Sequence, residues 1–571
     1  MNGTFLLKNL SGDISKSHIL DALIILGLSL VALFAFYVTP DFAANLPQDG
    51  VDFAVPAVNL LERGCFADTA YGHEFPPAHP FGMALLLIPA YSLTGHFLGN
   101  GIYAVLLCAL GTIALTYIIG MRMSGRTGGC LAALFLITNY GFWQYSQKIM
   151  SEVPSVFLGV VVMTLALAVG NRERSGLICF AIGLVLGLAT TVRYDNVLLL
   201  IPALPLLLTA ECPWPARTRN VLLCLAGIVP FVGALAAYNQ EVFGSAERTG
   251  YGVWGNSGAK AEPLFAVSYV TKPGFMSLRG INQQFAQYVE GNGTFYVKSL
   301  LSESDTTRIF GPRHYWQLPG RTLYQTLALI RTFLGVIGLL TCVVVWKSNS
   351  CRRQFFVWVV VLTVVYTSFY LVYSWQEERF LMRLVPGFCL ANAIGITALL
   401  ARCHGRTLRF AVVTVVGGLI VAFAFYNWQM GFPSGNDLHL YETLTSASRR
   451  MEPNAIVVSN FERFRLDAYV IRGTERMAVP LTAKEGAYAH LGGNNIQTPF
   501  HPFIAVESPE RLRELVRKQR PVYWLVNDPW SGEPRQALDF LERSFRLQVL
   551  ATASVDGGPD QPYFGRIYER P

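Results

Sequence analysis

The chain has 571 residues, 52% of them hydrophobic and 14% charged, against about 25% charged in an ordinary soluble chain. Its formal charge of +8 does not indicate a nucleic-acid ligand, because the basic residues fall in short loops between apolar runs, as the positive-inside preference requires. The ten cysteines show no CxxC or paired spacing, so neither a disulfide framework nor a zinc site is indicated.

The apolar runs are roughly 15–24 residues long, enough to cross a hydrocarbon core of about 30 Å. They predict a polytopic α-helical membrane protein of about eleven spans, at 19–38, 102–120, 129–143, 153–170, 176–192, 196–210, 221–238, 323–346, 355–374, 384–400 and 409–427. The first run lacks a small-residue cleavage site and reads as a retained anchor. Topology turns on the stretch Pro80 to Leu98. If it lies in the membrane plane and the N-terminus is cytoplasmic, five basic loops face the cytoplasm. They carry Arg122/Arg126, Arg172/Arg174, Arg217/Arg219, Lys347/Arg352/Arg353 and Arg402/Arg406/Arg409. If it crosses, all five face outward against the rule, unless the N-terminus is flipped too. A flip would part the acidic loop 41–79 from the other polar clusters, so the in-plane placement is expected.

This threading makes 1–430 a transmembrane domain with a first outward loop at 39–98 and a long outward loop at 239–322. Residues 431–571 have ordinary soluble composition and read as a small outward α/β domain. Ala455–Ser459 and Val522–Val526 are its predicted strands, and Ser508–Lys518 has a capping signal and helical spacing.

Polar residues collect in the outward segments. In the first loop Asp49 and Asp52 are three apart, which on a helical turn puts both carboxylates on one face; helix capping is the plainer account. A Pro-rich turn with His73, Glu74 and His79 follows. Next come Lys148 and Glu152, the latter opening an apolar run and so facing the bundle interior, a wet cavity or merely the interface. Arg193, in GLATTVRYDNVLLLIP, is a positive charge on the outward side. It calls for a bound phosphate or an ion pair with Asp195 or Glu152. The segment SWQEERFLMRLVPGF packs Glu377, Glu378, Arg379 and Arg383 at the start of a span. They are phosphate ligands or a self-paired interfacial cluster; a guanidinium suits phosphate because its planar fork gives paired hydrogen bonds. Arg331 lies about two turns inside its span, where an isolated guanidinium costs at least ~2 kcal/mol, so it needs a partner. The long loop opens with YNQEVFGSAERTGYG and carries Tyr251 and Trp254, either interface anchors or sugar contacts.

In this order along the chain, these segments resemble the GT-C superfamily of membrane glycosyltransferases. The likeness runs to about residue 400 and includes an early acid at Asp49, a “PP.hP.G” phrase into interfacial helices, Glu152 opening a span, and “GLA...R.d.lLl.P” around Arg193. It also includes “RF” at Arg379 and the “YN..FGs...GY” phrase. Family members often have a second acid directly after the first; here that neighbour is Gly50, which leaves the role of Asp52 open. The resemblance is to protein O-mannosyltransferases and lipid A aminoarabinose transferases. It implies sugar transfer from a polyprenyl-phosphate donor to a lipid, glycan or protein hydroxyl, at the periplasmic face of a bacterial inner membrane.

On that reading Asp49 is the catalytic base, with Glu152 and Asp52 the other candidate acids. Arg193, Arg379, Arg383, Lys148 and Arg331 are candidates for the donor phosphate, and Glu74, His79, Tyr251 and Trp254 for acceptor or sugar contacts. A carboxylate with a pKa near 4 suffices as base when the proton leaves late, and a partly desolvated site would raise that pKa. Direct attack implies inversion; double displacement would use Glu152 as nucleophile. No cofactor is required. A divalent metal is an option for Asp49, Asp52, Glu74 and His79, though their spacing matches no specific metal motif. Alternatives are a polysaccharide polymerase or ligase using a lipid-diphosphate donor, and a non-enzymatic transporter or assembly protein. Transport would place the charges near the bilayer midplane.

Overall fold

The computed structural model describes residues 16–37, 48–70, 73–77, 79–169, 175–208, 213–247, 249–250, 321–345, 349–371, 378–430, 444–459, 470, 477–480, 513–514, 516–517, 520–525, 541–543, 545–553 and 561–569. Every predicted span corresponds to helix. Helix α1 is Lys16–Tyr37, α4 Ile102–Ile137, α5 Tyr140–Tyr145, α6 Glu152–Ala168 and α7 Ser175–Val192. After these come α8 Leu200–Leu208, α9 Trp214–Phe243, α10 Arg321–Val344, α11 Ser350–Leu371, α12 Val385–Arg402 and α13 Arg406–Met430. Among the described residues six helices are long and apolar enough to cross a membrane, and five shorter apolar ones accompany them. The chain is a helical membrane protein.

Between α1 and α4 lie α2 (Gln48–Arg63), a short antiparallel hairpin of β1 (Asp68–Ala70) and β2 (His73–Phe75), and α3 (Gly82–Thr94). Helix α2 alternates polar and apolar faces and buries Val51, Phe53, Ala54, Val55, Ala57 and Val58. It stops at Gly64, whose φ of 69° belongs to the left-handed region glycine adopts without strain. The ambiguous stretch Pro80 to Leu98 forms α3. At 13 residues and 1.5 Å per residue it is about 20 Å long, short of a 30 Å crossing. Its first residue, Gly82, lies so close to Thr191 at the end of α7 that a Cβ would collide with Thr191 side chain and backbone.

Two predicted spans, 102–120 and 129–143, prove to be the arms of one hairpin followed by α5. Ser124 and Gly125 leave helical geometry inside α4, Gly125 at φ 73°. Glycines let the arms touch: a Cβ on Gly129 would meet the backbone of Tyr117. At this end of the bundle Arg126 pairs with Asp21 of α1 at 2.6 Å and donates to Ser17, and Arg352 of α11 donates twice to the Met123 carbonyl, at 3.1 and 2.7 Å. Two of the basic loops named above, those of Arg126 and Arg352, thus brace the fold at the end opposite to the starts of α6 and α12.

The C-terminal part contains a five-stranded sheet, ordered β4 (Met477–Pro480), β3 (Ile456–Ser459), β5 (Val522–Leu525), β7 (Gln561–Glu569) and β6 (Phe545–Ala553). Strand β3 runs parallel to β4 and β5; β7 runs antiparallel to β5 and β6. All four residues of β3 and of β5 are buried, as expected of central parallel strands covered on both faces. Both match predicted strands. Of the predicted helix at 508–518, residues 513–514 and 516–517 are described and are helical.

Candidate functional site

Three distant segments meet at one end of the bundle: the start of α6, the junction between α7 and α8, and the 3-10 turn Glu378–Leu384 before α12. Glu152 is the first residue of α6, where the helix dipole favours a carboxylate. Helix α7 ends at Val192, and Arg193 takes extended backbone geometry before a 3-10 turn, Tyr194–Leu199. Asn196 holds this corner: its amide donates to the Ala189 carbonyl at 2.8 Å, meeting one of the acceptors a helix end leaves open, and to Ser155 Oγ at 2.9 Å.

The charges interlock. Arg193 Nη1 donates to Glu152 Oε1 at 2.5 Å, and Arg193 Nε lies 3.1 Å from Asp195 Oδ1. Arg379 Nε approaches the same Glu152 oxygen more loosely, at 3.6 Å. Arg383 Nη2 donates to Asp195 Oδ1 at 2.8 Å, its Nε to Asn196 Oδ1 at 2.7 Å, and its Nη1 reaches the Phe380 carbonyl at 3.5 Å. Tyr370 donates to the other Asp195 oxygen and Tyr366 to the Asp195 backbone carbonyl. The Phe380 ring stacks on Tyr370 at 4.6 Å and carries Arg193 and Arg379 at 5.2 and 5.6 Å from its centroid. Among the described side chains of this cluster, three guanidiniums face two carboxylates. Glu152 is 2% exposed, and its Oε2 has no hydrogen-bond partner among the described residues.

Of the predicted residues, the structure thus brings Glu152, Arg193, Arg379 and Arg383 together. Arg193 makes both of the ion pairs weighed as alternatives to phosphate. Arg383 is 5% exposed with its donors directed at protein groups. Lys148, half-buried in the turn before α6, lies with Nζ 5.5 Å from the Tyr145 ring. Arg331 is placed elsewhere, buried in α10 with its guanidinium 4.8 Å from the centroid of the Phe423 ring of α13. Asp49 and Asp52 share α2; Asp52 is half-buried, and the Asp49 side chain lies outside the described residues, as do that of Glu74 and the whole of Tyr251, Trp254 and Glu377. His79 is buried against Phe53 at 4.3 Å. No group of three or more His, Cys, Asp or Glu able to hold a metal occurs among the described residues; Asp49 and Glu74 stand outside that search. Asn196, Tyr366, Tyr370 and Phe380 are site residues that the sequence reading missed. The two tyrosines are four apart in an apolar run, which indicated a shared helix face but not its neighbour.

No family model matches the chain, and no curated protein matches it in sequence. Solved structures do match in shape. ArnT from Cupriavidus metallidurans in the apo state has a TM-score of 0.55 at 12% identity, covering 96% of this chain and 97% of that one. The same protein bound to undecaprenyl phosphate scores 0.53 at 11% identity, with coverages of 97% and 98%. The oligosaccharyltransferase AglB from Archaeoglobus fulgidus, in complex with an inhibitory peptide and a dolichol-phosphate, scores 0.52 at 11% identity over 96% of this chain and 74% of that one. At such identities the likeness shows the fold alone, and this chain shares its fold with ArnT and AglB.

Proposed function

We propose that the chain transfers a sugar from a polyprenyl-phosphate donor to an acceptor hydroxyl at the periplasmic face of a bacterial inner membrane, with inversion at the anomeric carbon. The observation that carries this reading is the convergence of Arg193, Arg379 and Arg383 with two carboxylates at one end of an apolar bundle. A lipid phosphate enters from the bilayer with its headgroup at that level. The neighbours of known structure hold undecaprenyl phosphate and dolichol-phosphate, which supports the donor class.

In the proposed reaction the acceptor oxygen attacks the anomeric carbon while the bond from that carbon to the phosphate oxygen breaks. The acceptor proton passes to the Asp49 carboxylate, and polyprenyl phosphate leaves with the electron pair. Arg379, 3.6 Å from Glu152, and Arg193, shared by two acids, meet the growing phosphate charge together with Lys148. Phosphate thus competes with Glu152 for the same guanidiniums. Arg383 acts one step back, by fixing Asp195 and through it Arg193. Residues 431–571 serve acceptor binding.

The phosphate assignment is tested by binding of undecaprenyl phosphate to detergent-purified protein. Charge-assisted hydrogen bonds are worth about 1.5–3 kcal/mol, so Arg193→Ala and Arg379→Ala should each weaken binding by about tenfold or more. Unchanged affinity in both variants would remove the assignment.

A further inference from the structure

The YN..FG phrase at the end of α9 has no part in the cationic cluster, yet the structure places it next door. Gly244, at φ 75°, closes the helix in the left-handed conformation, with its amide returning to the Gln240 carbonyl. That stop fixes Phe243, and Phe243 packs edge-on against Tyr238 at 6.1 Å. Phe66, just before β1, and Phe81, just before α3, meet the same tyrosine edge-on at 5.5 and 6.2 Å. Three apolar rings from three segments therefore hold Tyr238 in one orientation.

Two polar atoms inside this setting, the Tyr238 hydroxyl and Asn239 Oδ1, are without a hydrogen-bond partner among the described residues. Both are buried, and Asn239 is 2% exposed. The Asn239 amide is not free to turn and relieve this, since its Nδ2 donates to the Ala246 carbonyl at 3.3 Å. Native structures rarely leave buried polar atoms unmet, and two on consecutive residues call for a ligand. Tyr194, the residue after Arg193, hydrogen-bonds the Asn239 side chain and lies within electrostatic reach of Tyr238. Gly82, next to Phe81, is jammed against Thr191, two residues before Arg193. The unmet atoms thus lie beside the segment, Thr191 to Tyr194, that carries the phosphate-directed arginine.

The chemistry of the two atoms selects the ligand. Asn239 Oδ1 only accepts hydrogen bonds, so a phosphate, which also accepts, cannot satisfy it; an isoprenoid tail offers no polar group at all. A sugar hydroxyl both donates and accepts, and can serve Oδ1 and the Tyr238 hydroxyl. We infer that Tyr238 and Asn239 form the subsite for the glycosyl group of the donor, set beside Arg193 because the sugar is joined to the phosphate through one oxygen. This inference rests on the proposed function and assigns to that site the residues that read the sugar.

The test compares binding of undecaprenyl phosphate with that of undecaprenyl-phosphate glucose, mannose and arabinose, using full-length protein in detergent. Tyr238→Phe removes only the hydroxyl and keeps the aromatic packing. It should weaken the preferred glycosylated lipid roughly 3- to 10-fold, the loss of one neutral hydrogen bond, and leave the sugar-free lipid unchanged. Asn239→Asp keeps shape and acceptor but adds a charge, and should shift preference among the sugars. Equal weakening of both lipid forms, or no change for any of them, overturns the subsite. Wild type that binds the sugar-free lipid as tightly as every glycosylated one also overturns it, and leaves the phosphate assignment standing. Wild type that binds none of the four lipids overturns the proposed function itself, and the subsite with it.

Discussion

Replacing Asp195 with Asn is the sharpest structural perturbation available at this site, because it removes one charge and almost no volume. The carboxylate is nearly buried, at 9% side-chain exposure, and Arg383 more so, at 2%. The pair is 2.8 Å long, and one oxygen also serves Arg193 at 3.1 Å while the other accepts from Tyr370. Breaking a buried pair from one side strands the remaining charge and typically costs about 3–5 kcal/mol. Here Arg383 keeps Asn196 Oδ1, the Phe380 carbonyl and the Tyr366 face, so the lower end, about 3 kcal/mol, is expected. At roughly 2 °C per kcal/mol for a large chain, the midpoint of thermal unfolding in mild detergent should fall by about 6 °C. Adding Arg383→Met to Asp195→Asn should return part of the loss, since an apolar side chain there has no charge to strand. A midpoint within about 1 °C of wild type would show that the Asp195–Arg383 pair does not hold the corner, and the positioning role given to Arg383 would go with it.

Three further outcomes are expected. Arg379→Gln, at a side chain 3.6 Å from its acid, should lower the unfolding midpoint less than Asp195→Asn does while weakening donor binding, so a fall in midpoint matching that of Asp195→Asn would contradict the division of labour between these arginines. Gly82→Ala drives a Cβ into Thr191; overpacking of this kind costs about 1–3 kcal/mol, and it should lower both the unfolding midpoint and turnover by tilting α3 away from α7. In the C-terminal part, hydrogen bonding by Arg517 holds the Glu569 carboxyl below its ordinary range. Its folded pKa being the lower one, the pair's small contribution is present at neutral pH and is lost as the pH falls through the folded pKa. Unfolding followed against pH, with Glu569→Gln as the reference, should show the two proteins converging on acidification.

Much of the architecture was legible because membrane burial imposes long apolar runs, and each predicted span coincides with helix over most of its described residues. The turn at Ser124–Gly125 was less so: it needs no break in composition, only a glycine free to take φ 73°, so two spans and a loop were read where two helical arms meet almost directly. At the site, Glu152, Arg193, Arg379 and Arg383 were found because each is a charge where an apolar environment demands a reason. Their pairing was not legible. Glu152 and Arg193 are 41 residues apart, and Asp195 and Arg383 are 188 apart, a matter of helix packing that no local pattern encodes. Asn196 went unnoticed because a single polar residue at the edge of a predicted span carries no signal of its own, whereas it ties off α7. Tyr366 and Tyr370 carried no local signal, and only the fold brings them to Asp195, with Phe380 of the 3-10 turn stacked on Tyr370.

The central claim is that the site releases polyprenyl phosphate by transferring its sugar, with Asp49 taking the acceptor proton. It is tested most directly by incubating detergent-purified wild type, Asp49→Asn and Arg193→Ala with polyprenyl-phosphate sugars and a membrane lipid extract, and measuring free polyprenyl phosphate. The account predicts release by wild type, none above background by Asp49→Asn, and a deep loss with Arg193→Ala. Release that persists unchanged in Asp49→Asn would contradict the assignment of the base and turn attention to Glu152 or Asp52.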